Sequence, residues 1–348
     1  MHTEYFKVDP VKPDLEILAK AAAMLQQGRL VAFPTETVYG LGANGLNEQA
    51  VKAIFAAKGR PSDNPLILHI DAVDKLTTLA AHVPPNAAAL IERYWPGPLT
   101  IVVKRQPIVP DVVTGGLDTV AIRLPSSLVA RELIRLAGVP IAAPSANTSG
   151  RPSPTTAQAV LADIEGKIAA VIDAGSCDIG VESTVVDCTT PVPTLLRPGG
   201  ITYEMLVEVL GEVEVDPTLA GAQAIPKSPG MKYTHYAPAA PLFLVESEPV
   251  TAARLIKREI DQALATGKTV GAIVSAELAD SLPPEVRTAV YGRRGDATVI
   301  AANLYENLRS FDNAPVDVIY AEGLAEKGLG LAVMNRLRKA AGYRIIRE

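Results

Sequence analysis

Lys58-Gly59-Arg60-Pro61-Ser62-Asp63-Asn64-Pro65 stands between two stretches of opposite periodicity, and its reading decides the kind of fold this chain builds. Before it, residues 47–57 carry helical spacing, with Asn47 in the N-cap position and Gly59 as the stop. After it, Leu66-Ile67-Leu68-His69-Ile70 is a short apolar run of strand character. Far downstream a second polar block, Pro144-Ser145-Ala146-Asn147, follows another such run, Val139-Pro140-Ile141-Ala142-Ala143. Helix, polar loop and strand therefore alternate. Prolines, small hydroxyl or amide side chains and two fixed cations beside strand ends suit an anion such as phosphate better than a core.

Four further blocks join these two. They are Phe33-Pro34-Thr35-Glu36-Thr37-Val38-Tyr39-Gly40-Leu41-Gly42, Gly180-Val181-Glu182-Ser183-Thr184, Leu196-Arg197-Pro198-Gly199-Gly200, and Ser228-Pro229-Gly230-Met231-Lys232-Tyr233-Thr234-His235-Tyr236-Ala237-Pro238. Together and in this order they resemble the L-threonylcarbamoyladenylate synthase family, whose catalytic module is the YrdC-like domain, in its longer two-domain branch. The resemblance covers nearly the whole chain. It implies an N-terminal YrdC-like domain with a twisted mixed sheet and helices, an extended linker, and a small doubly wound, Rossmann-like parallel-sheet domain. It further implies an enzyme, a nucleotidyltransferase, that turns L-threonine, bicarbonate and ATP into L-threonylcarbamoyladenylate and pyrophosphate. The product would feed a tRNA threonylcarbamoyl transferase.

The periodicities agree with that architecture. Helical patterns recur near Asp14 to Gln27, Asn86 to Tyr94, Leu128 to Leu136, Thr156 to Ile164 and Tyr203 to Leu210. Strand-like runs fall at Leu30–Pro34, Leu99–Val103, Thr119–Leu124, Ala170–Asp173, Thr184–Asp187 and Thr194–Leu196. The gap between the last two is too short for a helix, so they pair antiparallel and the sheet is mixed. Residues 1–215 are expected to form the first domain, 216–240 a Pro/Gly/Tyr-rich linker, and 241–348 the second. There a regular βαβ alternation predicts a parallel sheet. It has no GxGxxG after its first strand, and Ser275 reads as an ordinary N-cap.

Bulk properties narrow the function. With 33 Lys and Arg against 38 Asp and Glu, the net charge of −5 lacks the basic footprint of a nucleic-acid binder, so stable nucleic-acid binding is not expected. The alternative, a non-catalytic RNA-binding factor for tRNA or rRNA, is disfavoured on that ground. The basic stretches at Arg293-Arg294 and from Arg336 to Arg347 read as solvated element ends. Cys177 and Cys188 make neither a disulfide framework nor a CxxC metal pair. No signal-peptide h-region and no bilayer-length apolar run is visible. The reading is a cytoplasmic protein with no membrane association.

No P-loop is present, so fixed cations must hold a nucleotide's phosphates. Lys58, Arg60 and Arg197 are the candidates, with Ser145, Asn147 and Ser153 as neutral donors. Arg offers a planar fork of donors and Lys a point charge. Alone, Lys58 and Arg60 would read as a solvated helix end; the flanking motif gives them a ligand role. Thr37, His69, Arg123 and Ser183 form a second set, suited to a small amino acid, with Arg123 placed to pair with an α-carboxylate. The resemblance assigns these four to threonine or its carbamoyl group. It assigns Asn64, Thr119, Tyr233 and His235 to ATP, the last two from the linker, which could also close the site against water. Gly40-Leu41-Gly42 and Gly115-Gly116 could let the backbone approach a ligand closely and read equally well as plain turns; neither is given a catalytic role. Glu36, Asp63 and Glu182 are the local choices for a base or metal ligand, and magnesium is expected to arrive with ATP rather than in a protein cage.

Overall fold

The computed structural model describes residues 2–220, 236–312 and 315–348. The chain divides into two units, Met1–Ser149 with Ser153–Lys232, and Gly150–Pro152 with Tyr233–Glu348.

In the first unit the strands are β1 (Glu4–Lys7), β2 (Val31–Phe33), β3 (Gly40–Asn44), β4 (Ile67–His69), β5 (Leu99–Lys104), β6 (Thr119–Arg123), β7 (Ile141–Ala142), β8 (Ala170–Asp173), β9 (Thr184–Asp187), β10 (Thr194–Arg197) and β11 (Glu214–Val215). They join in the order β1-β8-β2-β3-β7-β4-β6-β5-β9-β10-β11. Pairing is mixed: β4 runs parallel to β6, β5 antiparallel to β6, and β9 antiparallel to β10. The last pair is the short hairpin that the spacing predicts.

Helices form where the caps dictate. Leu15–Gln26 starts at Asp14, whose carboxylate accepts from the N–H groups of Glu16 and Ile17. Its apolar face, including Leu18 and Leu25, packs with Val129, Leu133 and Ile134 of the helix Leu128–Ala137 over strands β2 and β8. Each of those large side chains contributes about 1.5–3 kcal/mol by leaving water.

Two features of this sheet differ from the sequence reading. Gly40-Leu41-Gly42 is not a turn; it lies within β3, antiparallel to β2. A Cβ on Gly42 would stand 2.8 Å from the Phe33 ring and 2.9 Å from Ile141, so the glycine lets neighbouring side chains cross the strand. The N-terminal segment, for which the sequence predicts no element, supplies β1, paired in parallel with β8 from Glu4↔Ala170 to Lys7↔Asp173.

The second unit contains β12 (Leu242–Val245), β13 (Val270–Ser275), β14 (Arg287–Gly292), β15 (Val318–Glu322) and β16 (Ile345–Ile346), in the order β14-β13-β15-β12-β16. Among the described residues every pairing of these strands is parallel. Val270, Ala272 and Val274 pack with Leu255, Ile256 and Ile260 of the helix Pro249–Ala265. On the opposite face Gly271 lies against Phe311, which follows the helix Ala297–Arg309. Helices on both faces of a parallel sheet make the doubly wound arrangement.

Here too the structure corrects the sequence. Ser275 does occupy the N-cap position of the short helix Ala276–Ala279, but its hydroxyl makes no cap hydrogen bond, and its N–H donates to Glu322 Oε2 at 2.8 Å. Arg336 is fully buried and Lys339 is 9% exposed, because the helix Leu329–Ala340 is covered along most of its length. Arg294 pairs with the buried Glu322 rather than standing in solvent. Among the described residues, no helix is long and apolar enough to cross a membrane.

Candidate active site

The two polar blocks that open the sequence argument meet in the first unit. The helix Glu48–Lys58 is capped by Asn47 and ends at Gly59, which has a left-handed φ of 61°. Lys58 is therefore the last helical residue, and it is 2% exposed. Its ammonium donates to the carbonyl oxygen of Ser145 at 2.5 Å and to that of Asn147. In return the Lys58 carbonyl accepts from the N–H of Ser149 at 2.8 Å. The plain alternative for Lys58, a solvated helix end, is thus excluded. The ammonium clamps the Pro144–Asn147 loop against the helix terminus, where a cation is favoured by the macrodipole.

Around this clamp Arg60 donates to the carbonyl oxygens of Asn64 at 3.3 Å and Pro65 at 3.1 Å. Asn64 is 1% exposed, and neither its amide nitrogen nor its amide oxygen has a partner. A buried amide left open in this way is set for a ligand or water. The Ser145 hydroxyl donates to Asn147 Oδ1 at 2.5 Å, and Asn147 Nδ2 donates to the carbonyl of Thr148 at 2.8 Å. Ser153, fully buried, donates to Glu182 Oε1 at 2.6 Å. That contact engages one of the three carboxylates considered for metal or base duty.

The second set assembles through strand register. His69 lies opposite Arg123, and Arg123 lies opposite Thr100. Thr100 pairs with Val185, and Val185 with Arg197. A row of polar side chains thus crosses β4, β6, β5 and β10, with Ser183 just ahead of β9. His69, Thr100, Arg123, Ser183 and Arg197 are all 5% exposed or less. Groups so buried must be paired. Thr100 and Ser183 share a hydrogen bond of 2.8 Å between hydroxyls. Arg197 donates to the Ser183 carbonyl at 3.0 Å and to its hydroxyl at 3.1 Å. Arg123 donates to the Gly97 carbonyl at 3.3 Å, to Thr37 Oγ1 at 3.0 Å and to Glu36 Oε1 at 2.7 Å.

Charge follows from this packing. Burial would raise the Glu36 pKa, but the Arg123 charge and hydrogen bond outweigh it and hold the carboxyl below its ordinary value. Burial first, and then the Arg123 charge, push His69 down to about 3, so its imidazole is neutral. Its Nδ1 is buried and has no partner.

The structure therefore brings Thr37, His69, Arg123 and Ser183 together with Arg197, which the sequence groups with the phosphate cations. It also gathers Lys58, Arg60, Asn64, Ser145 and Asn147; the N–H of Ala146 donates to the Tyr39 carbonyl at 2.8 Å and joins the two loops. Thr119 begins β6, four residues and roughly 13 Å along the strand from Arg123. Tyr233 and His235 lie outside the described residues. Among the described residues no three His, Cys, Asp or Glu gather to hold a metal. Thr100 is the member that sequence reading passed over. A lone threonine inside Leu99–Val103 looks like β-propensity until register places it beside Arg123.

A mixed α/β unit with an open amide beside anion-type loops, and two buried arginines beside small hydroxyls, has the chemistry that suits a small amino acid and a phosphate compound. Comparison with known proteins narrows this. Residues 23–199 match the family model described as telomere recombination, and residues 201–342 the model described as threonylcarbamoyl-AMP synthase, C-terminal domain. Threonylcarbamoyl-AMP synthase of Pyrococcus abyssi is 52% identical over 329 residues, 94% of this chain and 94% of that protein. The Bacillus subtilis protein of the same name is 51% identical over 334 residues, covering 95% of this chain and 94% of its own length. The crystal structure of P. abyssi Sua5 complexed with L-threonine superposes with a TM-score of 0.95 at 50% identity, covering 99% of this chain and 100% of that one. The chain belongs to the threonylcarbamoyl-AMP synthase family.

Proposed function

We propose that this chain condenses L-threonine, bicarbonate and ATP into L-threonylcarbamoyl-AMP and pyrophosphate, acting as a nucleotidyltransferase in the cytoplasm. The observation that carries the reading is the state of Arg123. Three of the guanidinium's five N–H donors are taken by Gly97, Thr37 and Glu36, which leaves two for a carboxylate. The fork is buried, fixed and flanked by hydroxyls, as recognition of a small hydroxy amino acid requires.

The threonine amine attacks the carbonyl carbon of bicarbonate, and water leaves to give a carbamate. A carbamate oxygen then attacks the α-phosphorus of ATP, the bond to the β-phosphate bridging oxygen breaks, and pyrophosphate departs with that electron pair. Neutral His69, with Nδ1 unengaged, offers a hydrogen bond to the amine or carbamate without adding charge. Arg60 and Arg197 supply fixed positive charge for the phosphates, and Lys58 holds the Ser145–Asn147 loop in shape for them. Asn64, Thr119 and the linker residues Tyr233 and His235 are assigned to the nucleotide. Magnesium would arrive with ATP, its charge offsetting that of the phosphates, and would be held mainly by phosphate oxygens and water.

The product is a mixed anhydride that water destroys, so a tRNA threonylcarbamoyl transferase must take it over promptly. The test is pyrophosphate release from ATP by the full chain. It should require both threonine and bicarbonate, and mass spectrometry should find the threonylcarbamoyl adenylate. Release that needs neither addition would overturn the reading.

A further inference from the structure

Glu36 has no part in the reaction as written, yet it is among the most tightly held carboxylates in the first unit. Its side chain is 9% exposed and pairs with Arg123, itself 4% exposed. Oε1 accepts from Arg123 at 2.7 Å, and Oε2 accepts from the backbone N–H of Ser127 at 3.3 Å. The Glu36 carbonyl accepts from the N–H of Ile179 at 2.9 Å, which fixes the backbone beneath the carboxylate. Ser127 is the N-cap of the helix Leu128–Ala137, and its hydroxyl donates to the Pro34 carbonyl at 3.3 Å. One carboxylate thus joins the end of β6 to the start of that helix.

Resting on the reading that Arg123 receives the threonine carboxylate, we infer that Glu36 is the positioning residue of that subsite. A guanidinium is a planar fork, and bidentate capture of a carboxylate depends on the roll of its plane. The Gly97 carbonyl holds Nε and Thr37 holds one terminal nitrogen; Glu36 holds the other and so sets the roll. It also balances the buried positive charge before substrate arrives. Glu36 is unsuited to the role of base, because both its oxygens already accept from N–H groups and its carboxyl is held below the ordinary range. The residue is therefore expected to act on threonine affinity and not on ATP.

The experiment compares full-length wild type, Glu36→Gln and Glu36→Asp in pyrophosphate release. L-threonine is set against L-threoninol, which has a hydroxymethyl group in place of the carboxylate. In Glu36→Gln the KM for threonine should rise about tenfold or more, the scale of a misplaced charge-assisted hydrogen bond. The KM for ATP and that for threoninol should stay within about twofold, so the preference for the carboxylate shrinks. Glu36→Asp keeps the charge and should recover part of the loss. If Glu36→Gln does not fold, Glu36→Asp carries the test through the same difference between the two ligands, at smaller size. Threonine and threoninol shifting together, or neither shifting, would make Glu36 a purely structural residue and overturn the inference. A wild type that releases no pyrophosphate in response to threonine would overturn the functional reading itself, and the inference with it.

Discussion

The two sheets of this chain both bury polar groups at strand ends, but the first gathers far more of them. In the first, His69, Arg123 and Arg197 each end a strand and Thr100 stands second in β5; all four are no more than 5% exposed and register sets them in one row. In the second, β13 runs Val270-Gly271-Ala272-Ile273-Val274 before its first polar residue, Ser275, and β15 runs Val318-Ile319-Tyr320-Ala321 before Glu322. A parallel sheet covered on both faces is forced to be apolar along its strands. A sheet that buries arginines at its strand ends must give each a partner. The first sheet therefore gathers two arginines, a histidine and small hydroxyls into one row, while in the second the strand-end carboxylate of Glu322 is met by the N–H of Ser275 at the end of the neighbouring strand and by Arg294.

Breaking the second sheet should cost stability and leave substrate recognition alone. Ile273 is fully buried; Ile273→Ala is expected to lose about 2–5 kcal/mol, measured by chemical denaturation, with the threonine KM of the folded protein unchanged. A loss below about 1 kcal/mol would contradict the packing described. Breaking the first sheet's row should do the reverse. Arg197→Ala should forfeit about 2–4 kcal/mol of transition-state stabilisation, a fall of about a hundredfold in kcat/KM for pyrophosphate release. Circular dichroism should show the fold retained, and wild-type turnover would remove Arg197 from the phosphate site.

Smaller effects sharpen the contrast. Lys58→Met keeps the aliphatic stem but frees the Ser145 and Asn147 carbonyls. Losing a charged donor there should raise the ATP KM about tenfold, with threonine KM unmoved; equal shifts in both would deny the loop a nucleotide role. His69 gives a pH signature. Its folded pKa of about 3 lies below the ordinary 6.5, so between these values the unfolded chain binds the extra proton. Its contribution is fully present above about pH 6.5 and is lost as pH falls through that window, at no more than about 1.4 kcal/mol per pH unit. Urea titrations between pH 6.5 and pH 4 should therefore show a shallower decline for His69→Gln than for wild type. Parallel curves would mean that His69 is not buried neutral.

Much of this fold is legible because periodicity is strong where burial is strong. The helix Tyr203–Leu210 and the strands Ala170–Asp173 and Thr184–Asp187 appear at the limits their apolar patterns predict. β1 escapes, since Glu4–Lys7 alternates half-buried with exposed residues and its partner β8 lies far along the chain. β3 escapes because two glycines lower its strand character, and the need for Gly42 arises only from Phe33 and Ile141. Candidate site residues can be named one at a time, each against a plainer reading as surface charge or satisfied core polar group. The pairings that matter cannot. Nothing local to Glu36 tells that it holds Arg123, 87 residues away, or that Lys58 spends its ammonium on carbonyls instead of facing solvent.

The central claim is that Arg123, in its buried row, captures the amino acid. Calorimetric titration of L-threonine into wild type and Arg123→Lys tests it most directly. Lysine keeps the charge but lacks the bidentate fork. The account expects one threonine site per wild-type chain and an affinity at least about tenfold weaker in the variant, with circular dichroism unchanged. Equal affinity in the two proteins would place the threonine carboxylate elsewhere and contradict the account.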